Sequence, residues 1–154
     1  MHHTFMQQAL TLATDAIDMQ GGPFGAIITH SNTIIGQGFN QVTKRHDPTA
    51  HAEIVAIRAA CEHLQSHDLS GSILYTSCEP CPMCLAASYW AGISHIYFAA
   101  DRIQAEQAGF IDAKLYTELT KPLAERSIPI EHIQCESSDK PFERWRKEMD
   151  KIPY

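Results

Sequence analysis

The run Pro80-Cys81-Pro82-Met83-Cys84 restricts the fold more than any other part of the chain. Two cysteines three positions apart, with prolines suited to a first turn, describe a helix start that puts both sulfurs on one face. Cys78 lies three residues earlier, so three of the five cysteines are neighbours. A disulfide framework would spread them along a secreted chain. A tight cluster, in a chain whose first residues show no secretory pattern, points to metal binding or redox chemistry in the cytoplasm. Thirty residues before Cys81, His51-Ala52-Glu53 opens a second apolar helix. The fold therefore has to bring two helix N-termini to one point.

Periodicity around these motifs predicts how. Phe5, Ala9, Leu12, Ala13, Ala16 and Ile17 recur at helical spacing, and Gly21-Gly22-Pro23 ends that opening helix. Phe24 to His30 and Thr33 to Phe39 read as two strands joined by Ser31-Asn32. A polar loop holding Asn40 leads to Asp47-Pro48-Thr49, a plausible helix start, and a mostly buried helix runs from about Ala50 to Leu64. Ile73 to Thr76 and Ile96 to Ala100 are short apolar runs on either side of the Cys81 to Ala91 helix. That is the order of a parallel strand pair with a helical crossover. Ile128 to Gln134 adds a last strand, and Phe142, Trp145 and Met149 mark a C-terminal helix. The expected fold class is α/β, a three-layer α/β/α sandwich around a mixed five-stranded sheet. With 154 residues, 44% of them hydrophobic, and neither repeat nor linker, residues 1–154 read as a single domain.

Two thiolates and one neutral imidazole, from Cys81, Cys84 and His51, make a zinc site of three protein ligands. The fourth position is open to water, which is the catalytic arrangement. Zinc brings the pKa of such a water toward neutrality. Glu53, two residues past His51 in an otherwise apolar helix, reaches that water as general acid and base without being a ligand. H-x-E followed by P-C-x-x-C, with a non-ligand glutamate, is the signature of zinc nucleobase deaminases. The competing reading is a closed structural site of His51 with Cys78, Cys81 and Cys84. Pro80 and Pro82 weigh against it by keeping Cys78 off the helix that aligns the other two. A closed site would also leave Glu53 buried to no purpose. Cys61 and Cys135 read as ordinary small residues.

Longer stretches carry a resemblance. Gly21-Gly22-Pro23-Phe24-Gly25-Ala26, Asn40, Asp47 to Glu53, Tyr75 to Cys84, Ala108-Gly109-Phe110-Ile111-Asp112, Trp145-Arg146 and the terminal Tyr154 together cover nearly the whole chain. In them the sequence resembles the cytidine-deaminase-like superfamily and, within it, the small bacterial guanine deaminases. The resemblance implies one catalytic Zn2+ per chain on His51, Cys81 and Cys84, with proton shuttling by Glu53 and Asp112 as a second catalytic carboxylate. It implies a purine base as substrate, hydrogen-bonded by Asn40 and stacked on Phe24; Ala52, beside His51, and Trp90, on the helix of Cys84 and near enough to line the pocket, are the other expected substrate contacts. It further implies a homodimer that exchanges a C-terminal segment, 139–154, so that Tyr154 covers the partner's site. Ile111 departs from the pattern, standing where some relatives carry another acidic residue.

The reaction so implied is guanine plus water giving xanthine and ammonia. Deamination of another free base or nucleoside, such as cytosine, a triazine, a pterin or guanosine, uses the same zinc motifs. So does a tRNA adenosine deaminase, but a net charge of −6 suits neither polyanionic RNA nor an anionic membrane surface. No apolar run approaches a membrane span.

Overall fold

In the computed structural model, which describes residues 1–154, helix α1 (His2–Asp18) buries Phe5, Ala9, Ala13 and Ala16, the stripe that the spacing picks out. Strand β1 (Gly25–His30) turns through Ser31 and Asn32 into β2 (Thr33–Phe39), its antiparallel neighbour. Both turn residues have positive φ, 48° and 64°, as a tight two-residue hairpin of this hand requires. Phe24 precedes β1 rather than starting it. A short helix, α2 (Val42–Arg45), occupies what reads in the sequence as polar loop. Asp47-Pro48-Thr49 is not a helix start. The Asp47 carboxylate accepts the Thr49 N–H at 2.8 Å and its hydroxyl at 2.7 Å, closing a turn, and α3 (Ala52–Leu64) begins only after His51.

Strand β3 (Ser72–Cys78), helix α4 (Pro82–Trp90) and strand β4 (His95–Ala100) make the expected crossover, with β3 and β4 parallel. Helix α5 (Arg102–Gln107) follows, opened by a reciprocal capping box between Asp101 and Gln104. The sheet order is β2-β1-β3-β4, one mixed sheet of four strands. Strand alternation sorts the core into two faces. Ala26, Ile28 and Leu74 pack with Ala52, Ala56 and Ala60 of α3, whereas Ile27 and Tyr75 pack with Phe5 and Ala9 of α1. Gly36 and Gly38 let α3 lie close on β2, because a Cβ at either would fall on α3 backbone at Ala56 or Ala52.

These elements make up one compact unit, Met1–Asp112; Ala113–Tyr154 forms a second. The second contains α6 (Ala113–Thr120), a 3₁₀ turn (Leu123–Glu125) and α7 (Lys140–Lys147). The Glu118 carboxylate ties α6 to the turn that follows, accepting the Lys121 ammonium and the Ser127 N–H, each at 2.6 Å. The fifth strand expected at Ile128 to Gln134 does not form. Pro129, its second residue, has no N–H for a ladder, and Ile128 and Ile133 are 75% and 83% exposed. Met149 falls outside α7, which stops at Lys147. No helix is long and apolar enough to cross a membrane.

Candidate metal centre and active site

His51 and Cys81 occupy equivalent places, each the N-cap of its helix in extended conformation: φ −65° and ψ 157° for His51, φ −65° and ψ 166° for Cys81. Neither side chain caps its own helix. Both are turned instead to a common point, where Cys84, one turn into α4, joins them. The His51 Nδ1 lies 3.6 Å from Cys81 Sγ and 3.5 Å from Cys84 Sγ, and all three donor atoms fall within 4.8 Å of one another. Zinc at about 2.3 Å from sulfur and about 2.0–2.1 Å from nitrogen in a tetrahedron would separate sulfur from nitrogen by about 3.5–3.6 Å. The donors present therefore fit that ion in kind, number and spacing.

The protons of the cluster are coupled. The neighbouring Cys84 side chain, helped by His51, holds Cys81 down to about 4, so it is a thiolate at neutral pH. Cys81 in turn pushes Cys84 far up, together with burial and the nearby Glu53, and it also raises His51. A metal bound here displaces those protons. Cys78 stands apart: burial raises it to about 11, and its thiol faces the Asp101 carbonyl at 3.7 Å. His51 and Cys81 stand at the N-terminal ends of α3 and α4, the positive ends of both helix dipoles, which favours negative charge there.

Glu53, in the first turn of α3, is only 6% exposed, and that burial raises its pKa. Its carboxylate sits beside Cys84 and accepts the Thr76 hydroxyl at 3.1 Å. Asn40 is buried directly after β2. Its Oδ1 accepts the N–H of Val42 at 3.2 Å and of Gly22 at 3.4 Å, which fixes the carboxamide with its NH2 as the group left to meet a ligand. Gly21 and Gly22 cradle it closely: a Cβ on Gly21 would meet the Asn40 carbonyl, and one on Gly22 would meet its side chain at 3.2 Å. Phe24 is half-buried and braced edge-on by Phe110, centroids 4.8 Å apart. Asp112, half-buried at the end of the first unit, is raised by burial and then by the charge on Cys81.

Ala52 is fully buried at the first turn of α3. Trp90 is 73% exposed at the last turn of α4, the helix whose first turn carries Cys84. Tyr154 ends the second unit. Sequence reasoning missed Thr76, Gly22 and Phe110 as supports. The one available signal was a polar residue on the inward face of a central strand, Thr76 between Leu74 and Cys78.

Comparison with known proteins agrees with this geometry. Residues 1–100 match the family described as the cytidine and deoxycytidylate deaminase zinc-binding region. The guanine deaminase of Bacillus subtilis is 47% identical over 154 residues, 99% of each chain. The X-ray structure of guanine deaminase from Bacillus subtilis superposes with a TM-score of 0.97 at 46% identity, covering 100% of this chain and 99% of that one. A tRNA-specific adenosine deaminase of Buchnera aphidicola is 36% identical over 135 residues, 88% of this chain and 82% of its own. The chain belongs to the cytidine and deoxycytidylate deaminase family, whose zinc-binding region spans both of its metal-ligand motifs.

Proposed function

We propose that this protein catalyses the hydrolytic deamination of guanine to xanthine and ammonia. The observation that carries this reading is a three-donor cluster with a buried carboxylate beside it, in a chain similar from end to end to a guanine deaminase. His51, Cys81 and Cys84 would hold one zinc ion per chain. Bound there, zinc supplies Lewis acidity and makes hydroxide available at neutral pH.

The chain's own residues do the rest. Glu53 takes the proton of the attacking water, gives it to a ring nitrogen and so makes the amino-bearing carbon more electrophilic. It then carries a proton to the leaving amine, so that ammonia departs. Burial suits it to this, since a raised pKa brings its acid and base forms closer in energy near neutrality. The N-termini of α3 and α4 favour the negative charge that develops on the attacked carbon's oxygen. Asn40, held by Gly22 and Val42, donates to an acceptor on the purine edge. Phe24 stacks on the ring, Ala52 closes the floor, and Asp112 assists as a second carboxylate. We place the enzyme in the cytoplasm, where neighbouring free thiols stay reduced.

Also part of the proposal is a homodimer in which residues 1–154 act as one deaminase domain and 139–154 are exchanged, so that Tyr154 reaches the partner's pocket. The test is conversion of guanine by the zinc-loaded protein, with xanthine and ammonia measured together. Glu53→Gln should keep the zinc and lose about 10²–10⁴ in kcat. Near-normal turnover by that variant would remove Glu53 from the mechanism.

A further inference from the structure

We propose that Thr76 is the positioning residue of the general acid–base, fixing Glu53 through its hydroxyl; this rests on the deaminase reading above. Thr76 is 1% exposed on β3, with backbone partners on both sides, Ala26 of β1 and Phe98 of β4. It shares a strand face with Leu74, which packs toward α3. Its Oγ1 donates to Glu53 Oε1 at 3.1 Å, both groups buried. In the base form of Glu53, which has no proton to give, the hydroxyl is the donor and the carboxylate oxygen the acceptor.

Volume does not explain the hydroxyl. Valine has nearly the same shape, suits a buried strand better and needs no partner. A glutamate side chain has three rotatable bonds, whereas a threonine in the middle of a sheet is stiff at its single χ1. A bond from the rigid partner to one carboxylate oxygen therefore holds the flexible one, and leaves the other oxygen to exchange protons with water and substrate. Proton transfer depends steeply on such placement.

The test compares Thr76→Val, which removes the hydroxyl, with Thr76→Ser, which keeps it and removes the methyl. Both are made in the zinc-loaded protein and assayed on whichever base the parent turns over fastest. Thr76→Val should lose about 10- to 100-fold in kcat, the span of one hydrogen bond to a charged group, with KM changed by no more than about twofold. Zinc should remain at one per chain. Thr76→Ser should keep kcat within about threefold of the parent, and its crystal structure should show the Glu53 carboxylate unmoved while Thr76→Val shows it rotated. Parent-like kcat in Thr76→Val, or Thr76→Ser as slow as Thr76→Val, would overturn the proposal, the latter by showing that the methyl matters instead. If Thr76→Val fails to fold, Thr76→Ala takes its place, and equal rates for alanine and serine would overturn it. A zinc-loaded parent that deaminates no base would sink the deaminase reading alone. The carboxylate position in the variant structures would still decide for or against Thr76.

Discussion

Cys78, Cys81 and Cys84 are evenly spaced in sequence, yet the fold puts them in three different chemical states. Only Cys81 combines partial exposure with a pKa near 4, while Cys78 is buried with a thiol near 11. In zinc-stripped protein at pH 7, iodoacetamide should therefore alkylate Cys81 and the exposed Cys135, and spare Cys78. Bound zinc should protect Cys81 but leave Cys135 reactive, and peptide mass mapping would read both. Because protons compete for Cys84 and His51, whose pKa values are raised, zinc affinity should fall as pH falls. Metal analysis should find zinc lost in Cys81→Ser and Cys84→Ser and kept in Cys78→Ser; equal loss in all three would revive the closed site. His51, Glu53, Cys81 and Cys84 were legible in the sequence because their spacing is local to two helix starts. Thr76 and Phe110 were not, since each acts on a residue that only sheet register or loop folding brings near.

At the scale of elements, the site depends on how closely α3 and the segment after α1 approach the hairpin. Gly38→Ala would push its new methyl into the Ala52 carbonyl at the start of α3, the turn that carries Glu53. Denaturant unfolding should show a loss of about 1–3 kcal/mol, the usual cost of overpacking. Gly22→Ala should act more narrowly. It displaces the Asn40 carboxamide, so KM for the purine should rise while zinc content and the unfolding midpoint stay close to the parent; an unchanged KM would argue that Asn40 does not read the base. The hairpin and the β3–α4–β4 crossover could be read from alternation and turn residues alone. What could not be read was governed by local hydrogen bonding or by a missing partner. The Asp47 carboxylate makes a turn where a helix start was expected, and Pro129 denies the Ile128 segment a ladder.

For the molecule as a whole, the proposed exchange of the C-terminal segment has its own test. Deleting Ile152 to Tyr154 should leave a folded, zinc-loaded protein with sharply reduced activity. Mixing it with Glu53→Gln, under conditions that let subunits exchange, should restore part of that activity, because one mixed site regains both an intact Glu53 and a donated tail. No rescue after verified exchange would place the tail over its own subunit. The central claim concerns the substrate, and the measurement that reaches it most directly is kcat/KM for ammonia release from guanine, adenine, cytosine, guanosine and an anticodon stem-loop RNA, on one preparation with zinc counted. Guanine should lead the other bases by a wide margin and the RNA should not be turned over, in keeping with a net charge of −6. A preference for cytosine, or turnover of the adenosine in the stem-loop, would contradict the account and leave only the reaction type standing.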